Sequence, residues 1–100
     1  MEQDKIYVLL DVTIKDKTKF LQYVEGHRPS MQQYGGKLLF RSNDLEVIEG
    51  NWPPKLFVVQ EWPSEEAFQA WHNSKEYAPW KKLRQEGMDV NMVLARAMKP

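Results

Sequence analysis

The chain contains no cysteine among its 100 residues, which excludes a disulfide framework, a thiol nucleophile and any thiolate metal site. Long apolar runs are missing as well. The longest, Ile6 to Leu10, is too short to span a bilayer, and Met1-Glu2-Gln3-Asp4-Lys5 lacks the basic region and apolar core of a secretory signal. The expectation is a cytoplasmic protein with no membrane partner. An excess of either charge is also absent: Lys plus Arg and Asp plus Glu number 14 each, so no global field draws the chain to nucleic acid. Its one basic cluster, Lys81-Lys82-Leu83-Arg84, reads as a helix-end group that complements the dipole and solvates a face. The sequence has no Gly-x-Gly-x-x-Gly, no phosphate loop, no Gly-x-Ser-x-Gly elbow and no aromatic-basic pattern of an RNA-binding sheet.

What is present is a regular succession of elements, read as one domain over residues 1–100. Ile6, Val8, Leu10, Val12 and Ile14 alternate with Tyr7, Leu9, Asp11 and Thr13, which predicts a central strand interrupted on its second face by Asp11. Asp16 is placed to cap a helix whose apolar residues run from Phe20 to Tyr34. Pro29 lacks an amide hydrogen, and its ring collides with the carbonyl of Glu25, so a kink or a break is expected near His27-Arg28. Gly35-Gly36 ends the helix. Lys37–Arg41 predicts a second strand, Ser42-Asn43-Asp44 a turn, and Leu45–Glu49 the returning arm of a hairpin. Two prolines make Gly50-Asn51-Trp52-Pro53-Pro54 a loop, and Lys55–Trp62 is a further strand. Ser64 caps a second helix with Glu65 and Glu66 in its first turn and Ala67, Phe68 and Trp71 inward. Asn73-Ser74 breaks that helix, a segment beginning near Tyr77 follows, and Val90–Met98 is the last strand.

Strand, helix, strand, strand, helix, strand is the order of an α+β, ferredoxin-like βαββαβ fold, with an antiparallel-type four-stranded sheet and both helices on one face. The opposite face, carrying Tyr7, Leu9, Phe57, Val59 and Val93, is too apolar to meet water. A second copy is the expected cover, giving a homodimeric α/β barrel.

Tyr34-Gly35-Gly36-Lys37, Arg41, Leu45 to Pro54, Glu61-Trp62-Pro63-Ser64 and Ala70 to Tyr77, with Arg84, together resemble the thirteen-thirty domain-of-unknown-function family. The resemblance runs from Ile6 to Ala97. It implies a dimeric α/β barrel related to antibiotic-biosynthesis monooxygenases, haem-degrading monooxygenases and muconolactone-isomerase-like proteins, and it assigns no activity.

Chemistry is sought among a few polar residues. With the first and third strands taken as parallel neighbours, Asp11 and Glu61 meet at their C-terminal ends, on the face away from the helices. There they form a candidate proton-transfer pair, with His72 as a third catalytic candidate. The bland alternative is that each carboxylate is a strand-end charge, solvated or paired with Arg41. Arg41 is a candidate clamp for a ligand carboxylate, with His27, Tyr7 and Trp52 as further ligand-binding candidates. Trp52, on its proline-stiffened loop, reads either as a lid or as an anchor inserted into the partner. The two histidines lie on different helices without metal-ligand spacing, so no metal is expected. Nothing marks a haem ligand or calls for a dedicated cofactor.

Three functional readings follow. The first is a small homodimeric protein that binds a small organic molecule in a cleft and transforms it without a cofactor. The second is a monooxygenase of the antibiotic-biosynthesis or haem-degrading type. The third is a non-enzymatic assembly module. A pocket of several hundred cubic ångströms separates the first two from the third.

Overall fold

The computed structural model describes residues 5–98. Its elements run β1 (Ile6–Ile14), α1 (Lys17–Gly26), α2 (Arg28–Gln33), β2 (Lys37–Ser42), β3 (Leu56–Trp62), α3 (Glu65–His72), α4 (Ala78–Gly87) and β4 (Met88–Arg96). The strands form one antiparallel sheet in the order β2-β3-β1-β4. This is the ferredoxin-like α+β architecture that the element order predicts.

Local signals set most boundaries. The Asp16 carboxylate accepts from the Lys19 amide at 3.1 Å, and the Ser64 hydroxyl accepts from that of Ala67 at 3.1 Å, so each satisfies a helix-start donor that would otherwise lack a partner. Pro29 falls in the first turn of α2, where its missing amide costs nothing, and the helix path breaks at His27. Gly35 closes α2 at φ +89°, a conformation that a Cβ would strain. The segment after Asn73 becomes helical at Ala78, and Pro79 again lies in the first turn.

Two features differ from the sequence-based expectation. β1 and β3 run antiparallel: the crossover through α1 and α2 makes β1 parallel to β2 with one slot left between them, and β3 fills that slot from the opposite direction. Leu45–Glu49 is not a strand. The position beside β2 that a hairpin arm would take belongs to β3, so residues 43–55 form a loop, begun by a turn in which the Ser42 hydroxyl accepts from the Asp44 amide at 3.2 Å.

The register assigns the faces. Ile6, Val8, Leu10 and Val12 oppose Trp62, Gln60, Val58 and Leu56 on the helix side, and all four β1 residues are buried. Tyr7, Leu9 and Asp11 oppose Glu61, Val59 and Phe57 on the other side. A bulge at Leu39 shifts the β2 register, so that Phe40 pairs with Val59 and Arg41 with Val58. One extra residue reverses the side to which every later side chain points, and Arg41 is thereby turned to the helix side.

The core is aromatic. Trp62, Trp71 and Tyr77 are fully enclosed, with the Trp62 and Trp71 rings 5.0 Å apart and those of Trp71 and Tyr77 3.8 Å apart. The Cα frame is only 16 Å across its shortest axis. That leaves room for one sheet and one helix layer, so among the described residues no helix or strand covers the second sheet face.

Where α1 meets α4, a Cβ built on Gly26 would stand 2.2 Å from the Trp80 ring. Gly26→Ala is expected to displace the indole and to lower stability by about 1–3 kcal/mol. Urea denaturation followed by tryptophan fluorescence checks this.

Candidate functional site

A cavity of about 600 Å³ lies between the helix side of the sheet and α1 and α2. α1 packs on α4, and beyond the break at His27 the wall continues through Arg28, Met31 and Gln32 of α2 to Lys37, Leu38 and Arg41 of β2. Leu10, Val12, Phe20, Val58, Met88 and Val90 supply apolar wall. His27, Tyr23, Gln60, Arg84 and, near β2, Arg41 supply the polar groups on which the chemistry turns. Such a volume, with a few convergent polar groups on apolar walls, is the usual form of a small-molecule site.

His27 is held from two directions. Its ring stacks on that of Tyr23 at 4.1 Å between centroids, and Nδ1 lies 2.6 Å from the Tyr23 carbonyl oxygen. A carbonyl only accepts, so Nδ1 carries the hydrogen and Nε2 keeps its lone pair. Burial holds the His27 pKa below its ordinary value of 6.5; the Arg28 charge adds to this and the backbone contacts to Tyr23 and Val24 oppose it. The imidazole is therefore neutral at pH 7 and can accept a proton.

Behind His27 lies a chain of three polar groups. Arg84 Nε donates to the Tyr77 hydroxyl at 3.2 Å, and the Tyr77 and Tyr23 hydroxyls are 2.7 Å apart. Burial, then the neighbouring Tyr77, raises the Tyr23 pKa well above 10, so Tyr23 stays a phenol and a donor. Arg84 is only 8% exposed. Among the described residues it has no carboxylate within ion-pair distance. Gln60 is also buried, and its side-chain oxygen accepts from Trp62 Nε1 at 3.0 Å.

Of the residues singled out in the sequence, His27 and Arg41 line this cavity. Asp11 and Glu61 share the open sheet face but do not meet. Asp11 opposes Phe57 and Glu61 opposes Tyr7, four positions apart along β1, or roughly 13 Å. The pairing depended on parallel strands, and the antiparallel register separates the two carboxylates. Asp11 instead accepts from Trp52 Nε1 at 3.0 Å, and Glu61 lies 3.9 Å from Lys5. Arg41 does not pair with Glu61, because the β2 bulge puts it on the opposite face. Trp52, 54% exposed, packs edge-on to Phe57 at 5.6 Å, so the loop folds back onto the open face. Tyr7 sits on that face between Glu61 and Ala95. His72 lies outside the cavity lining, stacked on Phe68 at 5.4 Å with Nδ1 buried and unpartnered. Burial, then Lys81 and Arg84, lowers its pKa.

Arg84, Tyr23 and Tyr77 were legible in part. Both tyrosines fall on apolar helix stripes, and Arg84 follows Tyr77 by two helical turns on the same face. Reading Arg84 together with Lys81 and Lys82 as a solvated group is incorrect, because Tyr77 and Tyr23 draw its guanidinium inside. Among the described residues no cluster of three or more His, Cys, Asp or Glu is arranged to hold a metal ion, and no helix is long and apolar enough to cross a membrane.

The two lowered histidine pKa values make the fold acid-sensitive. The unfolded chain takes up these protons near pH 6.5, whereas the native state resists them until lower pH, so stability is fully present above pH 6.5 and falls below it. His27→Gln is expected to reduce the steepness of that loss. Urea midpoints measured across the acid range read the change.

Comparison with known proteins places this geometry in context. A family model described as Domain of unknown function (DUF1330) matches residues 5–98. No curated protein matches the sequence. Among solved structures, a protein of unknown function from Rhodopseudomonas palustris superposes with a TM-score of 0.84 at 19% identity, over 98% of this chain and 85% of that one. SnoaB, a cofactor-independent oxygenase from Streptomyces nogalater, superposes with a TM-score of 0.71 at 11% identity, over 97% and 96% of the two chains. A dimeric ferredoxin-like protein of unknown function from Thermobifida fusca gives 0.56 at 13% identity, over 93% and 91%. At these identities the likeness concerns the fold.

Proposed function

The chain belongs to the DUF1330 family of domains of unknown function, and from that premise we propose that it binds a small organic molecule in the cavity beneath α1 and α2 and acts on it without a dedicated cofactor. The observation that carries this reading is the cavity itself, about 600 Å³ of mainly apolar wall with His27, Tyr23, Gln60 and Arg84 set into it. An assembly module has no use for such a space, which costs packing energy when empty. His27 takes the role of proton acceptor through Nε2, since its tautomer is fixed and its burial keeps it neutral. Asp11, Glu61 and His72, which lie outside the cavity lining, stand behind His27 as candidates for proton transfer.

The protein works as a homodimer in this proposal, with the second copy on the open sheet face. Phe40 and Val93 on that face are more than half exposed, and Ile48 in the adjoining loop is 85% exposed, an apolar surface a lone subunit would leave in water. The structurally similar protein from Thermobifida fusca is described as dimeric, which supports a dimer though not its interface. A monooxygenase reading is favoured by one finding, the fold shared with the cofactor-independent oxygenase SnoaB.

Crystallographic soaking with a library of small aromatic and aliphatic fragments tests the proposal. Fragments are expected in the cavity, in contact with His27 or Arg84. Occupancy confined to other surfaces would overturn it.

A further inference from the structure

The unresolved charge in the cavity wall is Arg84. A guanidinium has five N–H donors, and here Nε alone has a partner, the Tyr77 hydroxyl at 3.2 Å. The remaining donors find no acceptor among the described residues, although the residue is 8% exposed and lines the cavity. Burying a cation without a counter-charge is costly, and proteins that do so supply an anion. Among the described residues no carboxylate does this for Arg84: the ion-paired ones, Glu61, Asp89, Glu86 and Glu65, face Lys5, Lys15, Lys19 and Arg96.

We propose that the ligand of this cavity is an organic anion, an apolar body bearing one carboxylate or equivalent oxyanion, which Arg84 receives through its free guanidinium edge. The inference rests on the ligand-binding reading of the same cavity and names its chemical class. The tyrosine pair completes the receptor. Arg84 donates into the Tyr77 oxygen, and the Tyr77 and Tyr23 hydroxyls share one hydrogen bond, so of their two O–H hydrogens one is left for a ligand. A planar oxyanion thus meets a charged fork, with a phenol set in the same wall. The apolar walls at Leu10, Val12 and Met88 take the body of the molecule, so an inorganic anion gains only part of the available contact.

The test compares an acid with its isosteric amide. Titration calorimetry is run with 2-naphthoate, 2-naphthamide and inorganic phosphate on the wild type, Arg84→Met and Arg84→Lys. The wild type is expected to bind the naphthoate at least about tenfold more tightly than the amide, as a charge-assisted hydrogen bond provides. Arg84→Met should lose that preference while holding the amide within about twofold of its wild-type affinity. Arg84→Lys, which keeps the charge but not the fork, should keep part of the preference. If circular dichroism shows that Arg84→Met does not fold, the wild-type acid-to-amide ratio and the lysine variant decide. Equal binding of acid and amide, a preference that survives in Arg84→Met, or phosphate binding as well as naphthoate would overturn the proposal and leave the cavity's ligand-binding role standing. Failure of both naphthalene compounds to bind would overturn that role and the proposal together.

Discussion

Trp62→Ala is expected to lower stability by about 3–5 kcal/mol, and the melting temperature by roughly 10 °C or more. Trp62 is fully enclosed, with its ring 5.4 Å from Phe68 and 5.0 Å from Trp71. A Cβ at Gly36 would come within 2.6 Å of it, which shows how closely the backbone has approached the indole. Truncation therefore removes contacts on several sides that the surrounding elements cannot all recover by collapsing. The loss has a second component, because Gln60 surrenders the Nε1–H donor that satisfies its buried side-chain oxygen. A domain of this size has about 5–15 kcal/mol of stability in total, so the variant sits close to unfolding at room temperature. Denaturant titration by circular dichroism measures it, and a loss below about 1 kcal/mol would mean that Trp62 is not a keystone of the core.

If the chain forms the proposed homodimer through its open sheet face, Val93→Asp is expected to make it monomeric at micromolar concentration while leaving the fold intact. Val93 is 58% exposed and sits across from Leu9 on the open face of β1 and β4. In a single subunit an aspartate there meets water and costs little. Against a second copy the same carboxylate is buried without a partner, and the two-fold axis introduces it twice. Light scattering reads the mass directly. A dimer that survives the substitution would place the interface elsewhere, and a monomeric wild type would remove the argument altogether.

The parts of this fold that were legible in the sequence are those set by short-range chemistry. Asp16 and Ser64 cap helices because a side-chain oxygen reaches an amide three residues on, and Pro29 breaks a helix wherever the chain goes afterwards. The alternation in β1 identified the buried face correctly because burial follows the period of a strand. What the structure corrects depends on partners distant in the chain. The direction of β3 follows from the crossover and not from its own residues. Leu45–Glu49 has the composition of a strand and no neighbour to pair with. Arg41 points to the cavity because of a bulge at Leu39 that no local signal announces.

The candidate site was legible only in its histidine and in Arg41. His27 stood out because imidazole is rare here and titrates near neutrality, and the structure sets it in the cavity wall. The expected meeting of Asp11 and Glu61 rests on a strand direction that the sheet reverses. Arg84 stands among charged neighbours in the sequence, and its burial depends on Tyr77 and on Tyr23, which lies 54 residues from Tyr77 in the chain. A charge on an otherwise apolar helix face is the signal that would have distinguished it.

The most direct test of the cavity as ligand site uses the methionine methyl groups. Met31 and Met88 are buried and line the cavity, whereas Met98 is 89% exposed and lies outside its lining. With methyl-¹³C-methionine in the protein and 2-naphthoate added stepwise, the Met31 and Met88 methyl resonances are expected to shift together and saturate, while that of Met98 stays in place. Shifts confined to Met98, or Met31 and Met88 resonances that do not move while the ligand binds, would contradict the account.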